Sequence, residues 1–252
     1  MPTRDTAWPN GTPCWVDYGA PDVEAAKAFY AALLGWSYEG GEEAYGGYLT
    51  CARDGRAAAG MSPMYDPSVP TRWNTYFATD DVDAAAARCS AAGGTILAEP
   101  MDVGPFGRMA IAADPQGHPF GLWQSAEHTG FRIFNEPGGV VWNDLATDDT
   151  AGARAFYGAV FGFRFDAMDG PQDYTTFATE DRPLGGLGAA SPGDAKGWKT
   201  CFSVESADDA VGTAEAGGGK VVMPPMDTPF GRFGTVQDPW GVTISLMQSP
   251  AG

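Results

Sequence analysis

The chain is written twice. Ala26–Trp36 reads AKAFYAALLGW and Ala153–Phe163 reads ARAFYGAVFGF, with 127 residues between their starts. Trp15-Val16-Asp17 returns as Trp142-Asn143-Asp144 at the same offset. Later in each half, Pro100-Met101-Asp102 returns as Pro225-Met226-Asp227, Phe106-Gly107-Arg108 as Phe230-Gly231-Arg232, and Asp114-Pro115-Gln116-Gly117 as Asp238-Pro239-Trp240-Gly241. Each half closes on a strand ending at a glutamine, Gln124 or Gln248. A pattern recurring at half the chain length is one folding unit used twice. The expected division is residues 10–125, a linker over 126–138, and residues 139–249.

Each half divides again, more weakly. Trp15–Tyr30 resembles Trp73–Arg88: a strand, an acidic start, then an alanine-rich helix. Asp22 and Asp81 stand where helix N-caps stand, and Gly35 and Gly93-Gly94 mark the helix ends. Short alternating runs such as Tyr48–Ala52 and Arg108–Ala113 follow, separated by Gly and Pro turns. The fold class is therefore α+β: four βαβββ modules, paired into two domains with curved, mostly antiparallel sheets. One module alone could not cover its sheet; two give about eight strands around a cleft.

The 252 residues carry a net charge of −17, which repels phosphate, so nucleic acid and anionic membranes are poor partners. No apolar run approaches the ~18 residues of a membrane helix, and Met1–Pro13 lacks the apolar core of a secretion leader. Cys14, Cys51, Cys89 and Cys201 form no zinc spacing. A cytoplasmic protein with reduced thiols, monomeric or homodimeric, is the expectation. Gly217–Lys220 runs into a strand rather than a helix, so it is no phosphate loop.

The pattern Asp-x-x-x-Ala-x-x-Phe-Tyr-x-x-x-x-Gly-Trp/Phe at Asp22–Trp36 and Asp149–Phe163, with the Asp-Pro-x-Gly turns, resembles the vicinal-oxygen-chelate superfamily of glyoxalases, bleomycin-resistance proteins and dioxygenases. Gly11–Asp17, Trp73–Tyr76, Gly121–Gln124 and Trp142–Asp144 are similar to an actinobacterial tandem group, CFP30B-like, often labelled hydroxylases. The resemblance implies a divalent metal held by His, Gln or Glu on the first and last strands of each module. Here the first-strand positions hold Trp15, Asn74, Trp142 and Lys199, and the last-strand positions of the second and fourth modules hold Gly121 and Ser245. Tryptophan and a charged lysine donate no lone pair. The two histidines, His118 in a turn and His128 in the linker, read as surface residues. No metal site and no cofactor are expected, although a shifted carboxylate site at Asp17 or Asp144 stays open.

Strand alternation turns Trp15, Asp17, Asn74, Tyr76 and Trp123 into the first cleft, and Trp142, Asp144, Lys199, Cys201 and Met247 into the second. Val16, Tyr18, Thr75 and Phe77 would face the helices. Aromatic walls with few polar groups suit a small aromatic or polycyclic molecule. They also suit plain core packing. Asp17 and Asp144 are the candidate catalytic groups: a carboxylate beside tryptophans holds its proton more tightly and can act as a general base. Asp144 is expected to pair with Lys199 and close the second cleft, leaving the first as the active one. Arg108 and Arg232 could reach a ligand anion or simply bridge carboxylates. Three functions compete: a metal-independent protein that binds or transforms an aromatic metabolite, a metal-dependent glyoxalase, lyase or dioxygenase with displaced ligands, and a surface-interaction protein with filled clefts.

Overall fold

The computed structural model describes residues 4–170, 172–191 and 194–250; Met1–Thr3, part of the stretch read for a leader, lie outside them. The first module runs β1 (Pro13–Ala20), α1 (Val23–Leu34), β2 (Ser37–Gly40), β3 (Leu49–Arg53) and β4 (Arg56–Pro63). The second runs β5 (Trp73–Ala78), α2 (Val82–Ala91), β6 (Thr95–Val103), β7 (Gly107–Ala113) and β8 (Pro119–Ser125). The third runs β9 (Val140–Thr147), α3 (Thr150–Phe161), β10 (Arg164–Ala167), β11 (Tyr174–Ala178) and β12 (Gly185–Ala189). The fourth runs β13 (Gly197–Ser203), α4 (Ala207–Ala216), β14 (Lys220–Thr228), β15 (Gly231–Gln237) and β16 (Thr243–Gln248). None of these helices is long and apolar enough to cross a membrane.

Each pair of modules makes one eight-stranded mixed sheet. The orders are β2-β3-β4-β1-β5-β8-β7-β6 and β10-β11-β12-β9-β13-β16-β15-β14. The modules join through antiparallel β1–β5 and β9–β13 pairs, with Asp17 opposite Asn74 and Asp144 opposite Lys199. These central strands place the candidate residues.

The helix starts follow the local chemistry. Asp22, Asp81, Asp149 and Ser206 each accept the backbone N–H three residues on, satisfying a donor the first turn leaves free. The closing glutamines do related work. Gln124 Oε1 accepts Val82 N–H and Gln248 Oε1 accepts Ala207 N–H, each at 3.0 Å, tying a last strand to the first residue of its own module's helix.

The core differs from the expected one. Tyr18, Thr75 and Phe77 do turn away from the cleft, but they meet the other domain as well as helices. One cluster joins Tyr18, Tyr30 and Trp36 of the first module and Trp73 of the second to Phe202, Val211 and Leu246 of the fourth. The other joins Phe77, Phe120 and Leu122 of the second module to Tyr157, Phe163 and Phe177 of the third. Thr75 Oγ1 donates to Asn143 Oδ1 between the sheets. Buried carboxylates of the Asp-Pro-x-Gly turns clamp both clusters: Asp238 accepts from Tyr18 and Tyr30, and Asp114 accepts from Tyr157. His118, expected at the surface, is buried, with Nδ1 3.0 Å from Asp114 Oδ2. A turn closing a domain-to-domain face has no solvent side. All four cysteines are free and buried.

Candidate functional site: two tyrosine-capped aspartates

The first sheet brings Trp15, Asp17, Asn74, Tyr76 and Trp123 to one face, as the alternation requires. Asp17 accepts a hydrogen bond from Asn74 Nδ2 and another from the Tyr76 hydroxyl, both at 2.8 Å. Trp15 Nε1 donates to the Tyr48 hydroxyl at 2.8 Å. Arg72 Nε donates to Asn74 Oδ1 at 3.0 Å and puts a positive charge near Asp17. Burial nevertheless wins: desolvation raises the Asp17 pKa against the opposing hydrogen bonds and Arg72.

The second sheet repeats the centre with different flanks. Asp144 accepts from the Tyr174 hydroxyl at 2.6 Å and from Trp142 Nε1 at 3.0 Å. Desolvation raises its pKa too, opposed by those two bonds and by Lys199. The expected Asp144–Lys199 ion pair does not form. Lys199 has no carboxylate within 4.0 Å among the described residues, because Tyr174 and Trp142 already occupy Asp144. Cys201 and Met247 stand where the first sheet has Tyr76 and Trp123.

Glycines leave room for two of these tyrosines, Tyr48 against Trp15 and Tyr174 on Asp144. A Cβ at Gly60 would collide with the Tyr48 hydroxyl, and one at Gly186 with the Tyr174 hydroxyl and Asp144. Tyr48 and Tyr174 were not among the sequence candidates. They were nevertheless findable, because they stand 126 residues apart and open equivalent strands of modules one and three.

The metal implied by the resemblance does not fit these residues. At Gly121, where a ligand glutamate would stand, a Cβ would collide with the Tyr76 ring. Trp15 and Trp142 spend their indole N–H groups on tyrosine and aspartate oxygens. No group of three His, Cys, Asp or Glu side chains suited to a cation occurs among the described residues.

The first face is covered by its own chain. The linker lays His128 against Trp15 at 4.4 Å and Trp123 at 5.4 Å between ring centroids, and Phe131 against Trp15 at 5.6 Å. Trp123 Nε1 donates to the His128 carbonyl at 2.9 Å. His128 was expected at the surface; instead its Nε2 is buried without a partner, and burial pushes its pKa down to about 4. Tyr45, between β2 and β3, touches Phe106, between β6 and β7, at 5.3 Å. Those loops leave opposite edges of the sheet, so their contact shows the sheet curling over this face.

Arg108 and Arg232 are held by carboxylates. Arg108 bridges Asp102 and Asp83, and Arg232 bridges Asp227 and Asp208. Each clasps a hairpin to the first turn of a helix, the structural use the sequence also allowed. Two recesses, of about 160 Å³ beside Trp8, Cys14 and Trp123 and about 360 Å³ between Asn10 and Gly162, reach neither Asp17 nor Asp144.

Comparison with known proteins agrees with this architecture. The chain is 38% identical over 257 residues to CFP32 of Mycobacterium tuberculosis, which carries a glyoxylase name, with 98% of each chain covered. It is 36% identical over 266 residues to the anthracycline biosynthesis protein DauV of Streptomyces sp. strain C5, covering 96% of this chain and 95% of that one. The Mn(II)-bound glyoxalase of Novosphingobium aromaticivorans superposes with a TM-score of 0.69 at 19% identity, over 95% of this chain and 83% of that one, which is a likeness of fold. The sequence model of the Glyoxalase/Bleomycin resistance protein/Dioxygenase superfamily matches residues 14–122 and 139–246, and the chain belongs to that superfamily.

Proposed function

We propose that the chain binds, and where it acts transforms, an aromatic or polycyclic small molecule at an inter-module sheet face without a resident metal. The observation that carries this reading is the pair of capped aspartates. Asp17 and Asp144 stand on the first strands of their domains, and their oxygens are taken by tyrosine, asparagine and indole donors rather than shared with further acidic or histidine ligands. Such a site holds protons and presents aromatic surface. Asp144 with Tyr174 is a general acid–base pair suited to an enolisable ring system. The name of the relative DauV, an anthracycline biosynthesis protein, supports a place in aromatic polyketide metabolism.

Elemental analysis of the untagged protein, before and after incubation with nickel, zinc, manganese and iron, is the test, joined to titration with a tricyclic quinone followed by tryptophan fluorescence. The expected result is less than about a tenth of an equivalent of metal and a saturable change in emission. Near-stoichiometric metal that is lost on Asp17→Ala or Asp144→Ala would establish the displaced-ligand metalloenzyme instead.

A further inference from the structure

We propose that the second sheet face, not the first, is the ligand site, and that its ligand is a planar aromatic bearing an anionic oxygen beside the ring. This rests on the small-molecule reading above and assigns that ligand a place and a charge.

The two faces share a centre and differ in what lies over it. Over the first, His128 and Phe131 already stack on Trp15, which is 4% exposed, and Tyr45 meets Phe106 across the mouth. A ligand there would have to displace the protein's own rings. Over the second, Trp142 is half-buried, its indole N–H reaches the Tyr174 hydroxyl at 3.1 Å, and no ring stacks on it among the described residues. Phe230, which matches Phe106 in the repeat, is 63% exposed, whereas Phe106 packs against Tyr45. Tyr76 and Trp123 give way to Cys201 and Met247, so less side chain fills the floor. A half-buried indole with no ring stacked on it is a stacking platform without its partner.

The charge follows from Lys199. Arg108, Arg232 and Lys196 on the same domains all have carboxylates in contact. Lys199 has none among the described residues, although Asp144 lies directly across the ladder. Asp144 accepts from Tyr174 and Trp142, so its oxygens are already donated to. The ammonium is therefore free to meet an anion brought in by the ligand, and a ring stacked on Trp142 would carry that anion within its reach. With a net charge of −17 the long-range field opposes anions, so the preference must come from this one contact and must vanish with it.

The test is calorimetric titration of the full chain at pH 7.5 with anthraquinone-2-carboxylate and with the neutral anthraquinone-2-carboxamide. Wild type is expected to favour the carboxylate about tenfold, the size of one good charge contact. Lys199→Met should erase that preference while leaving amide binding intact, Lys199→Arg should keep it, and Arg72→Met, which removes the cation of the first face, should change neither titration. Preference lost in Arg72→Met but retained in Lys199→Met would move the ligand to the first face and overturn this assignment while leaving small-molecule binding standing. Equal affinity of wild type for both probes would overturn the anionic chemistry. Failure of wild type to bind either would overturn the parent reading, and this one with it.

Discussion

Asp238→Ala is expected to lower the melting temperature by roughly 10 °C, the largest effect of any single polar substitution considered. Asp238 is 2% exposed and receives four donors. The Tyr18 and Tyr30 hydroxyls reach Oδ2 at 2.7 and 2.8 Å, and the Trp240 and Val242 N–H groups reach Oδ1 at 3.0 and 2.8 Å. Removing the carboxylate leaves two buried phenol hydroxyls without an acceptor and frees the turn. Each buried orphan costs about 1–3 kcal/mol, so a total of about 4 kcal/mol follows. A chain this long loses roughly 2–4 °C per kcal/mol. The tyrosines belong to the first domain and the aspartate to the second, so the loss should appear as weakened coupling between them. Adding Tyr30→Phe to Asp238→Ala removes one orphan and should recover part of the loss, whereas Tyr30→Phe alone should destabilise. A drop under about 2 °C, measured by calorimetry, would show that water reaches these hydroxyls and that the clamp is not a desolvated one. Asp114→Ala should cost less, since its single tyrosine contact is longer, at 3.3 Å.

That clamp shows where sequence reading stops. The repeat made the modules, the helix caps and the central strands legible, because each depends on residues close in sequence or on period-two alternation. The Asp17–Asn74 pairing could be foreseen from two strands set side by side. The docking of one domain's tyrosines on the other's Asp-Pro-x-Gly turn could not: Tyr18 and Asp238 are 220 residues apart, and nothing local marks that turn as buried. The same gap misplaced His118 and His128 at the surface. A turn and a linker are usually exposed, but this turn is an interface and this linker is a lid. Lys199 failed differently. Its register opposite Asp144 was foreseeable, yet opposite charge on neighbouring strands predicted a pair that a tyrosine from β11 pre-empts. The tyrosine's hold on the Asp144 carboxylate depends on a glycine of a third strand, Gly186, whose meaning emerges only once the sheet is assembled.

The buried lid makes stability depend on acidity in a way that one side chain should account for. His128 lies against Trp15 and Trp123 with Nε2 unpartnered, and burial pushes its pKa from an ordinary 6.5 down to about 4. Above about pH 7.5 it is neutral whether the chain is folded or not, and it contributes no pH dependence. As the pH falls through 6.5 the unfolded chain takes up a proton that the folded one refuses, so folding loses stability progressively until the folded ring also protonates near pH 4. The accumulated loss at the bottom of that window is about 3 kcal/mol. Asp17 and Asp144 act in the opposite direction. Their pKa values are raised in the fold, so the folded chain holds those protons more tightly and gains stability as the pH falls through their folded values. The two effects partly cancel in the wild-type curve, which therefore cannot be read alone. His128→Phe keeps an aromatic ring over Trp15 and removes only the proton site. The difference in unfolding free energy between wild type and His128→Phe should be flat from pH 8 to pH 7, then turn against wild type by about 3 kcal/mol on reaching pH 4. A difference that stays flat throughout would mean that the ring protonates in place, with water already at Nε2, and that the first face is as open as the second.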